Sequence, residues 1–203
     1  MTHPSDDDAP ARATALTTLG RHDGAFGAVN PPTYRTSTIL FSDFEAFRAA
    51  YEGRTAPGYG RQGNPTTFAL AASLSQLIAA DYTLLTPSGL QAITTALLAC
   101  LKQGDDLLVV DSVYGPTRSF CDTLLRRMGI TTRYYAPETR PEVLAAMIQD
   151  NTRAIFLEAP GSLTFEMQDI RGVCAVAKRH GCVTMLEYTW ATPLYIKPFD
   201  LGV

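Results

Sequence analysis

One turn in the sequence has the residue types of a phosphate site. Ser88, Gly89 and Leu90 lie where a short apolar segment passes into a predicted helix. The start of a helix presents free backbone N–H groups and the positive end of the helix dipole, and both attract phosphate. Glycine lets the backbone approach such a ligand closely. The alternative is a plain N-cap that binds nothing, so the turn alone indicates a candidate site.

Two further side chains extend this candidate site. Tyr114 follows the apolar segment 107–110 and offers an aromatic face. Glu187 ends the apolar segment 183–186, where a carboxylate is costly unless it meets a cation or a hydrogen-bond donor. A phosphate site, a stacking ring and a carboxylate together suit pyridoxal phosphate, whose pyridinium nitrogen needs an acidic partner. Taken singly, Tyr114 could be an ordinary loop residue and Glu187 a solvated strand end.

Predicted strands and helices alternate along the chain, and these elements must position the candidate residues. Strands alternating with helices predict βαβ units and a mostly parallel sheet, which binds ligands at the carboxyl ends of its strands. That edge would collect Ser88, Gly89, Tyr114, Glu158 and Glu187. The predicted strands cover residues 82–86, 107–110, 131–135, 153–157 and 183–187, and the predicted helices cover 44–51, 67–80 with Thr66 as N-cap, 90–103, 117–128, 141–148 and 170–180.

Composition narrows the class of protein. The chain has 203 residues, 46% of them hydrophobic and 18% charged, which is typical of a globular protein. A net charge of −3 gives no reason to expect nucleic acid or an anionic membrane as partner. No apolar run approaches the roughly 20 residues of a membrane span, and no secretory signal is recognisable. The four scattered cysteines predict reduced, mostly buried thiols and no metal site, and with them a cytoplasmic protein.

Five motifs together resemble the Cys/Met-metabolism family of pyridoxal-phosphate enzymes. The resemblance covers about residues 27–203 and implies the α/β large domain of fold-type I pyridoxal-phosphate transferases, a mostly parallel sheet with helices on both faces. The loop that begins at Glu158 most resembles the bacterial cystathionine β-lyase branch. The motifs are Tyr59-Gly60-Arg61-x-Gly63-Asn64-Pro65-Thr66, Ser88-Gly89-Leu90-x-Ala92, Asp111-x-x-Tyr114-x-x-Thr117, Glu158-Ala159-Pro160 and Thr189-Trp190-Ala191-Thr192-Pro193.

The resemblance also implies roles for individual residues. Gly89 and Leu90 would bind the cofactor phosphate through their backbone N–H groups, and Tyr59 and Arg61 would reach the same phosphate from a neighbouring subunit. Tyr114 would stack on the pyridine ring and act as the catalytic residue in proton transfer or at the leaving group. Glu187 would hold the pyridinium nitrogen. The implied cofactor-binding set is completed by Ser88 and Thr189.

Two departures from the family pattern concern the chemistry. The family's catalytic lysine lies in a small-Thr-Lys segment, and none of the three lysines here, Lys102, Lys178 and Lys197, has that context. The chain is therefore expected to stop before the catalytic lysine and the C-terminal domain, and to be inactive alone. Glu187 and Tyr188 also stand where the family has Asp-Asn. Because glutamate is one methylene longer, its carboxylate would have to fold back or the ring would shift.

The expected organisation is a disordered tail over residues 1–15, an extended inter-subunit arm over 16–66 and a partial cofactor-binding α/β domain over 67–203. The implied activity is cystathionine β-lyase chemistry in trans-sulfuration, converting cystathionine to homocysteine, pyruvate and ammonia. The alternatives are methionine γ-lyase, cystathionine γ-synthase or cystathionine γ-lyase activity, or a non-catalytic fragment that acts as an interaction module. The implied partners are a sulfur amino acid and further copies of the chain in a dimer or tetramer.

Overall fold

The structure, a computed structural model, describes residues 8–20, 27–53 and 58–203. The predicted disordered tail lies partly outside these residues, at positions 1–7. The chain divides into two compact units, Met1–Leu85 and Thr86–Val203. Each unit is described by itself below.

The first unit is helical where it is regular. It contains helix α1 (Asp8–Thr18), helix α2 (Phe44–Tyr51), a 3₁₀ turn (Gly60–Gln62) and helix α3 (Pro65–Ile78). Helix α1 packs against α3 and occupies part of the stretch for which disorder is predicted, so that prediction is corrected from Asp8 onward. The prediction of a helix over 44–51 is confirmed. The inter-subunit role of residues 16–66 stays a prediction.

Helix α3 begins two residues earlier than the sequence predicts. Its N-cap is Asn64, whose side-chain oxygen accepts hydrogen bonds from the backbone N–H groups of Thr66 and Thr67 at 3.0 and 3.2 Å. The predicted N-cap, Thr66, is wrong: its hydroxyl donates to the Pro32 carbonyl oxygen instead. The physical reason is Pro65, which fits the first helical position because its missing N–H would have no partner there.

The strand predicted over residues 82–86 is not formed. No strand pairs with this segment among the described residues, and Tyr82 and Leu84 are exposed. Apolar composition cannot replace the hydrogen-bonded neighbour that an extended segment needs in order to be a strand. The turn at Ser88 and Gly89 is therefore preceded by an irregular segment.

The second unit is an α/β domain, as predicted. Its strands are β1 (Asp106–Val110), β2 (Thr131–Tyr135), β3 (Thr152–Glu158) and β4 (Val183–Glu187), and its helices are α4 (Gly89–Cys100), α5 (Gly115–Phe120), α6 (Pro141–Met147), α7 (Ile170–Arg179) and α8 (Thr192–Tyr195). Helix α5 continues as a π-helical turn over Cys121–Leu125. A 3₁₀ turn (Phe199–Leu201) follows α8.

The four strands form one parallel sheet in the order β2-β1-β3-β4. Strand β1 is buried along its whole length, as expected for a parallel strand covered on both sides. The chain passes from β1 to β2 at one edge of the sheet, and from β3 to β4 at the other edge. Because such crossovers are right-handed, α5 and α7 lie on opposite faces, with α4 packed beside α5 and α6 beside α7.

A charged cluster lies at the amino ends of the strands, opposite the carboxyl edge of the sheet. Asp106 is fully buried at the start of β1. Its carboxylate accepts hydrogen bonds from Arg133 Nε at 2.8 Å, Arg133 Nη2 at 2.6 Å and the Thr152 hydroxyl at 2.6 Å. These bonds join β1 to β2 and β3, and they also raise the pKa of Arg133. The cluster joins three of the four strands at their amino ends.

Candidate cofactor site

The start of helix α4 carries two free backbone donors. Ser88 is the N-cap, and its Oγ accepts a hydrogen bond from the Gln91 N–H at 3.2 Å. The N–H groups of Gly89 and Leu90 donate to no group in the described part of the chain. A Cβ at Gly89 would meet no atom within 4 Å. The Ser88 hydroxyl therefore caps the helix. The N–H groups of Gly89 and Leu90 are available to an anion at the positive end of this twelve-residue helix.

A cavity of about 440 Å³ opens from this helix start. It lies between α4 and the carboxyl halves of β3 and β4, with apolar walls and a polar mouth. A mostly apolar pocket with a few converging polar groups is typical of cofactor sites. The lining residues are Gly89, Ala92, Ile93, Ala96, Phe156, Met185, Leu186, Glu187, Tyr188, Thr189, Thr192 and Pro193.

Glu187 folds back onto the chain that follows it. Its Oε1 accepts hydrogen bonds from the Thr189 N–H at 2.9 Å and from the Thr189 hydroxyl. The second carboxylate oxygen has no hydrogen-bond partner among the described residues. The extra methylene is thus accommodated by this turn, which the sequence anticipates as one of two outcomes. Thr189, a predicted cofactor-binding residue, is here a neighbour that orients Glu187 at the cavity.

Tyr114 lies in the loop after β1, at the carboxyl edge of the sheet, where the connections that leave β1 and β3 run in opposite directions. Its backbone N–H donates to Glu158 Oε2 at 2.9 Å, which joins the loop after β1 to the end of β3. This crevice between β1 and β3 is the topological switch point, where open α/β sheets bind ligands. The Tyr114 side chain is 45% exposed and does not line the cavity that contains Gly89 and Glu187.

Glu158 is a residue that sequence reasoning placed at this edge of the sheet without giving it a role in the site. It is only 2% exposed and stands opposite Glu187 in the pairing of β3 with β4. Burial raises the pKa of the Glu158 carboxyl to about 7, the Tyr114 N–H opposes that rise, and the charge of Glu187 adds to it. Its position after an apolar strand gave the same signal that selected Glu187.

The loop after β3 is fixed against the loop after β1. Ser162 N–H donates to the Ser112 carbonyl oxygen at 2.8 Å, two residues before Tyr114. Gly161 is required at this approach, because a Cβ there would lie 2.6 Å from the Ser112 Oγ. Leu163 and Phe165 have φ values of 65° and 59°, which are unusual for side chains of their size. The rings of Phe165 and Trp190 pack edge to face, with centroids 4.9 Å apart.

Tyr59 and Arg61 belong to the first compact unit. The Tyr59 hydroxyl is 2.7 Å from Ser37 Oγ, and Arg61 lies exposed in the 3₁₀ turn that follows. Their approach to a phosphate from a neighbouring subunit stays a prediction.

The described residues contain neither a helix that could span a membrane nor a cluster that could hold a metal ion. No helix among them combines the length and hydropathy that crossing a membrane requires. No group of three or more His, Cys, Asp or Glu side chains there could hold a metal ion. Of the four unpaired cysteines, Cys121, Cys174 and Cys182 are buried and Cys100 is exposed.

Comparison with solved structures places this fold among the pyridoxal-phosphate-dependent lyases. A cystathionine gamma-lyase from Lactobacillus plantarum, solved with L-serine, aligns with a TM-score of 0.84 and 30% identity over 95% of this chain and 48% of its own. A Campylobacter jejuni protein, provisionally named an O-acetylhomoserine (thiol)-lyase and containing a pyridoxyl-lysine phosphate, aligns with a TM-score of 0.85 and 25% identity, over 95% of this chain and 47% of its own.

The chain belongs to the Cys/Met metabolism family of PLP-dependent enzymes, whose family model matches residues 13–203. A Rhizobium johnstonii protein with the provisional name cystathionine beta-lyase is 46% identical over 191 residues, which are 94% of this chain and 47% of that protein. The chain spans about half the length of the curated relatives it matches. The predicted family, fold class and cofactor are thereby confirmed.

Proposed function

We propose that this chain contributes the phosphate- and ring-binding part of a pyridoxal-phosphate-dependent carbon–sulfur lyase of cystathionine β-lyase type. The proposed overall reaction consumes cystathionine and water and yields homocysteine, pyruvate and ammonia. The observation that carries the proposal is the juxtaposition of two free N–H groups, at Gly89 and Leu90, with the Glu187 carboxylate in one cavity.

The residues present fit the cofactor. The N–H groups of Gly89 and Leu90 match a phosphate, and the open space beside Gly89 lets it approach. Glu187 offers a carboxylate oxygen at the cavity, which suits a ring N–H. Apolar walls, formed by residues such as Ile93 and Met185, suit the faces of a heteroaromatic ring. When bound, pyridoxal phosphate supplies an electron sink for the electron pair released at the substrate Cα.

Each residue has one proposed task in the reaction. Gly89 and Leu90 hold the phosphate, and Glu187, oriented by Thr189, keeps the proton on the ring nitrogen. Tyr114, which lies at the switch point and outside the cavity lining, would stack on the ring, and its Oη is the proposed proton donor to the departing sulfur. Tyr59 and Arg61 of a neighbouring copy are proposed to complete the phosphate site, which would make a homo-oligomer the working form. The proposed compartment is the cytoplasm.

Turnover also needs a lysine at the cavity, as base and as covalent anchor. None of the three lysines lines the cavity in the described part of the chain. We therefore expect residues 1–203, supplied with pyridoxal phosphate and cystathionine, to release no pyruvate above the level of free cofactor. A coupled pyruvate assay measures this, and catalytic turnover would contradict the proposed need for a further lysine.

Pyridoxine phosphate separates binding from covalent chemistry, since it has no aldehyde to react with lysines. Added to ¹⁵N-labelled protein, it is expected to shift the amide resonances of Gly89 and Leu90 most strongly, with smaller shifts at Glu187 and Tyr188. Pyridoxine without phosphate is the matched control and should leave the Gly89 and Leu90 resonances nearly unchanged. Shifts centred on Lys102, Lys178 or Lys197 would contradict the proposed site.

A further inference from the structure

The loop that carries Tyr114 has one buried polar anchor at the switch point. Glu158 Oε2 accepts the Tyr114 N–H at 2.9 Å, while the side chain of Tyr114 remains 45% exposed. The backbone of this loop is thus held from below by a buried carboxylate. The aromatic ring itself is left free to meet a ligand.

Glu158 is itself held in place by groups other than Tyr114. Its backbone carbonyl oxygen accepts a hydrogen bond from Gln168 Nε2 at 2.7 Å, and Gln168 in turn accepts one from the Tyr135 hydroxyl at 2.9 Å. Both of these residues are buried. The carboxylate therefore starts from a rigid strand end, and this is the property required of a positioning group.

A second carboxylate stands beside it on the neighbouring strand. Glu158 pairs with Glu187 in the register of β3 and β4, and the Ala159 N–H donates to the Glu187 carbonyl oxygen at 3.1 Å. Glu187 faces the cavity and Glu158 faces the Tyr114 loop. The two halves of the site are thus connected through two adjacent strand ends.

We propose that Glu158 is a positioning residue that fixes Tyr114 through its backbone and couples this hold to the charge at Glu187. The proposal rests on the proposed function for its meaning in catalysis, and on the hydrogen bond between the Tyr114 N–H and Glu158 for its geometry. A cation brought to Glu187 neutralises the neighbouring charge and so favours the ionised form of Glu158. An ionised carboxylate accepts the Tyr114 N–H more strongly than a neutral one does.

The direction of the pH effect follows from the folded structure. Burial raises the pKa of Glu158 to about 7, so the carboxyl is protonated below that pH and ionised above it. Because its pKa is raised on folding, its contribution to stability is fully present below the ordinary pKa of 4.5 and is lost as pH rises through about 7. The hold on Tyr114 strengthens over the same interval in which folding stability falls.

Other titratable groups lie on the elements packed against Glu158. Among the described residues, Glu187 is the one whose charge raises the pKa of Glu158, whereas the Tyr114 N–H lowers this pKa through its hydrogen bond. Asp111 is paired with Arg118. Substitution has to distinguish Glu158 from the other titratable side chains near it. These are Glu187 at the end of β4 and Tyr188 after it, Asp111 and Tyr114 in the loop after β1, Tyr135 at the end of β2, and Glu166 and Asp169 after β3.

The test follows the Tyr114 amide resonance of ¹⁵N-labelled protein between pH 5 and 9. The wild-type resonance is expected to titrate with a midpoint near 7. Glu158→Gln, which keeps the shape and an acceptor oxygen, should abolish that titration while leaving the fold unchanged. Glu187→Gln should lower the midpoint, because it removes the neighbouring charge. A Tyr114 amide that does not titrate, or that titrates unchanged in Glu158→Gln, overturns the proposal.

The same measurements with pyridoxine phosphate added distinguish this inference from the proposed function. Pyridoxine phosphate is expected to lower the Tyr114 midpoint in the wild type but not in Glu187→Gln. Glu158→Ala should weaken pyridoxine phosphate binding by about threefold to tenfold, and Glu158→Gln should restore most of the loss. A Tyr114 titration that depends on Glu158 but ignores the ligand would support the positioning role and count against the cofactor site. Equal affinities of Glu158→Ala and the wild type would overturn the coupling.

Discussion

Replacing Asp106 with alanine is expected to lower the free energy of unfolding by about 3 kcal/mol, near the lower end of the cost of breaking a buried ion pair. Asp106 is fully buried and accepts three hydrogen bonds, two from Arg133 and one from Thr152. Its removal leaves the Arg133 guanidinium without its carboxylate partner, and the hydrogen bond from Arg133 Nη2 to the Thr152 hydroxyl at 3.4 Å remains. Arg133 is 27% exposed, so it can reach some water, and this limits the loss.

The matched control is an ion pair of equal length at the surface. Arg48 and Glu45 lie 2.6 Å apart, as do Arg133 and Asp106, but both are more than half exposed. Glu45→Ala is expected to change the free energy of unfolding by no more than about 0.5 kcal/mol. Denaturant unfolding of the two variants measures the difference. Equal losses would show that burial does not decide the contribution of the Asp106 cluster.

Replacing Gly89 with alanine is expected to stabilise the fold and weaken cofactor binding at the same time. Gly89 is the first residue of α4 and does not have a positive φ, and its new Cβ would meet open space. Glycine-to-alanine changes at compatible positions stabilise proteins by about 0.4–1 kcal/mol. The same methyl group stands where a phosphate would approach the N–H groups of Gly89 and Leu90.

The loss of affinity is expected to be tenfold or more, since a hydrogen bond to a charged group contributes about 1.5–3 kcal/mol and 1.4 kcal/mol is a factor of ten. Quenching of Trp190, the only tryptophan and one residue beyond Thr189, measures pyridoxine phosphate binding. Gly115→Ala is the control, because its Cβ also meets nothing within 4 Å and Gly115 does not line the cavity. An unchanged affinity in Gly89→Ala would mean that the phosphate lies elsewhere.

The sheet could be predicted from sequence because its strands carry their own signals. The boundaries predicted for β2 and β4, residues 131–135 and 183–187, are those observed. Strand β1 begins one residue earlier than predicted, and β3 is longer by one residue at each end. Short runs of β-branched, aromatic and apolar residues bounded by glycine or proline predict such strands. The segment 82–86 has the same composition and forms no strand, because pairing is a tertiary property that a single segment does not contain.

The start of α3 and the course of α5 show a second limit. Asn64 and Thr66 are both good N-caps. Pro65 favours Asn64, and the Thr66 hydroxyl donates to the carbonyl oxygen of Pro32, 34 residues away in the sequence. The sequence also predicts one regular helix over 117–128. The structure instead has α5 and a π-helical turn, which no local signal announces.

At the candidate site, the sequence predicted which residues lie at the carboxyl edge of the sheet better than it predicted the hydrogen bonds that they make. Gly89, Glu187 and Thr189 do line one cavity. The backward turn of Glu187 onto Thr189 follows from side-chain length, but the sequence left it as one of two outcomes. Glu158 ends an apolar strand as Glu187 does, and the penalty for burying a carboxylate could have selected it as well. Its partner is a backbone N–H at Tyr114, which side-chain chemistry cannot reveal.

The ratio of the affinities for pyridoxine phosphate and for pyridoxine tests the central claim most directly. Trp190 quenching gives both dissociation constants on the unmodified chain. If the N–H groups of Gly89 and Leu90 form a phosphate site, the phosphorylated compound is expected to bind at least about tenfold more tightly, the gain from one hydrogen bond to a charged oxygen. Equal affinities for the two compounds would contradict the assignment of this helix start as the cofactor's phosphate site.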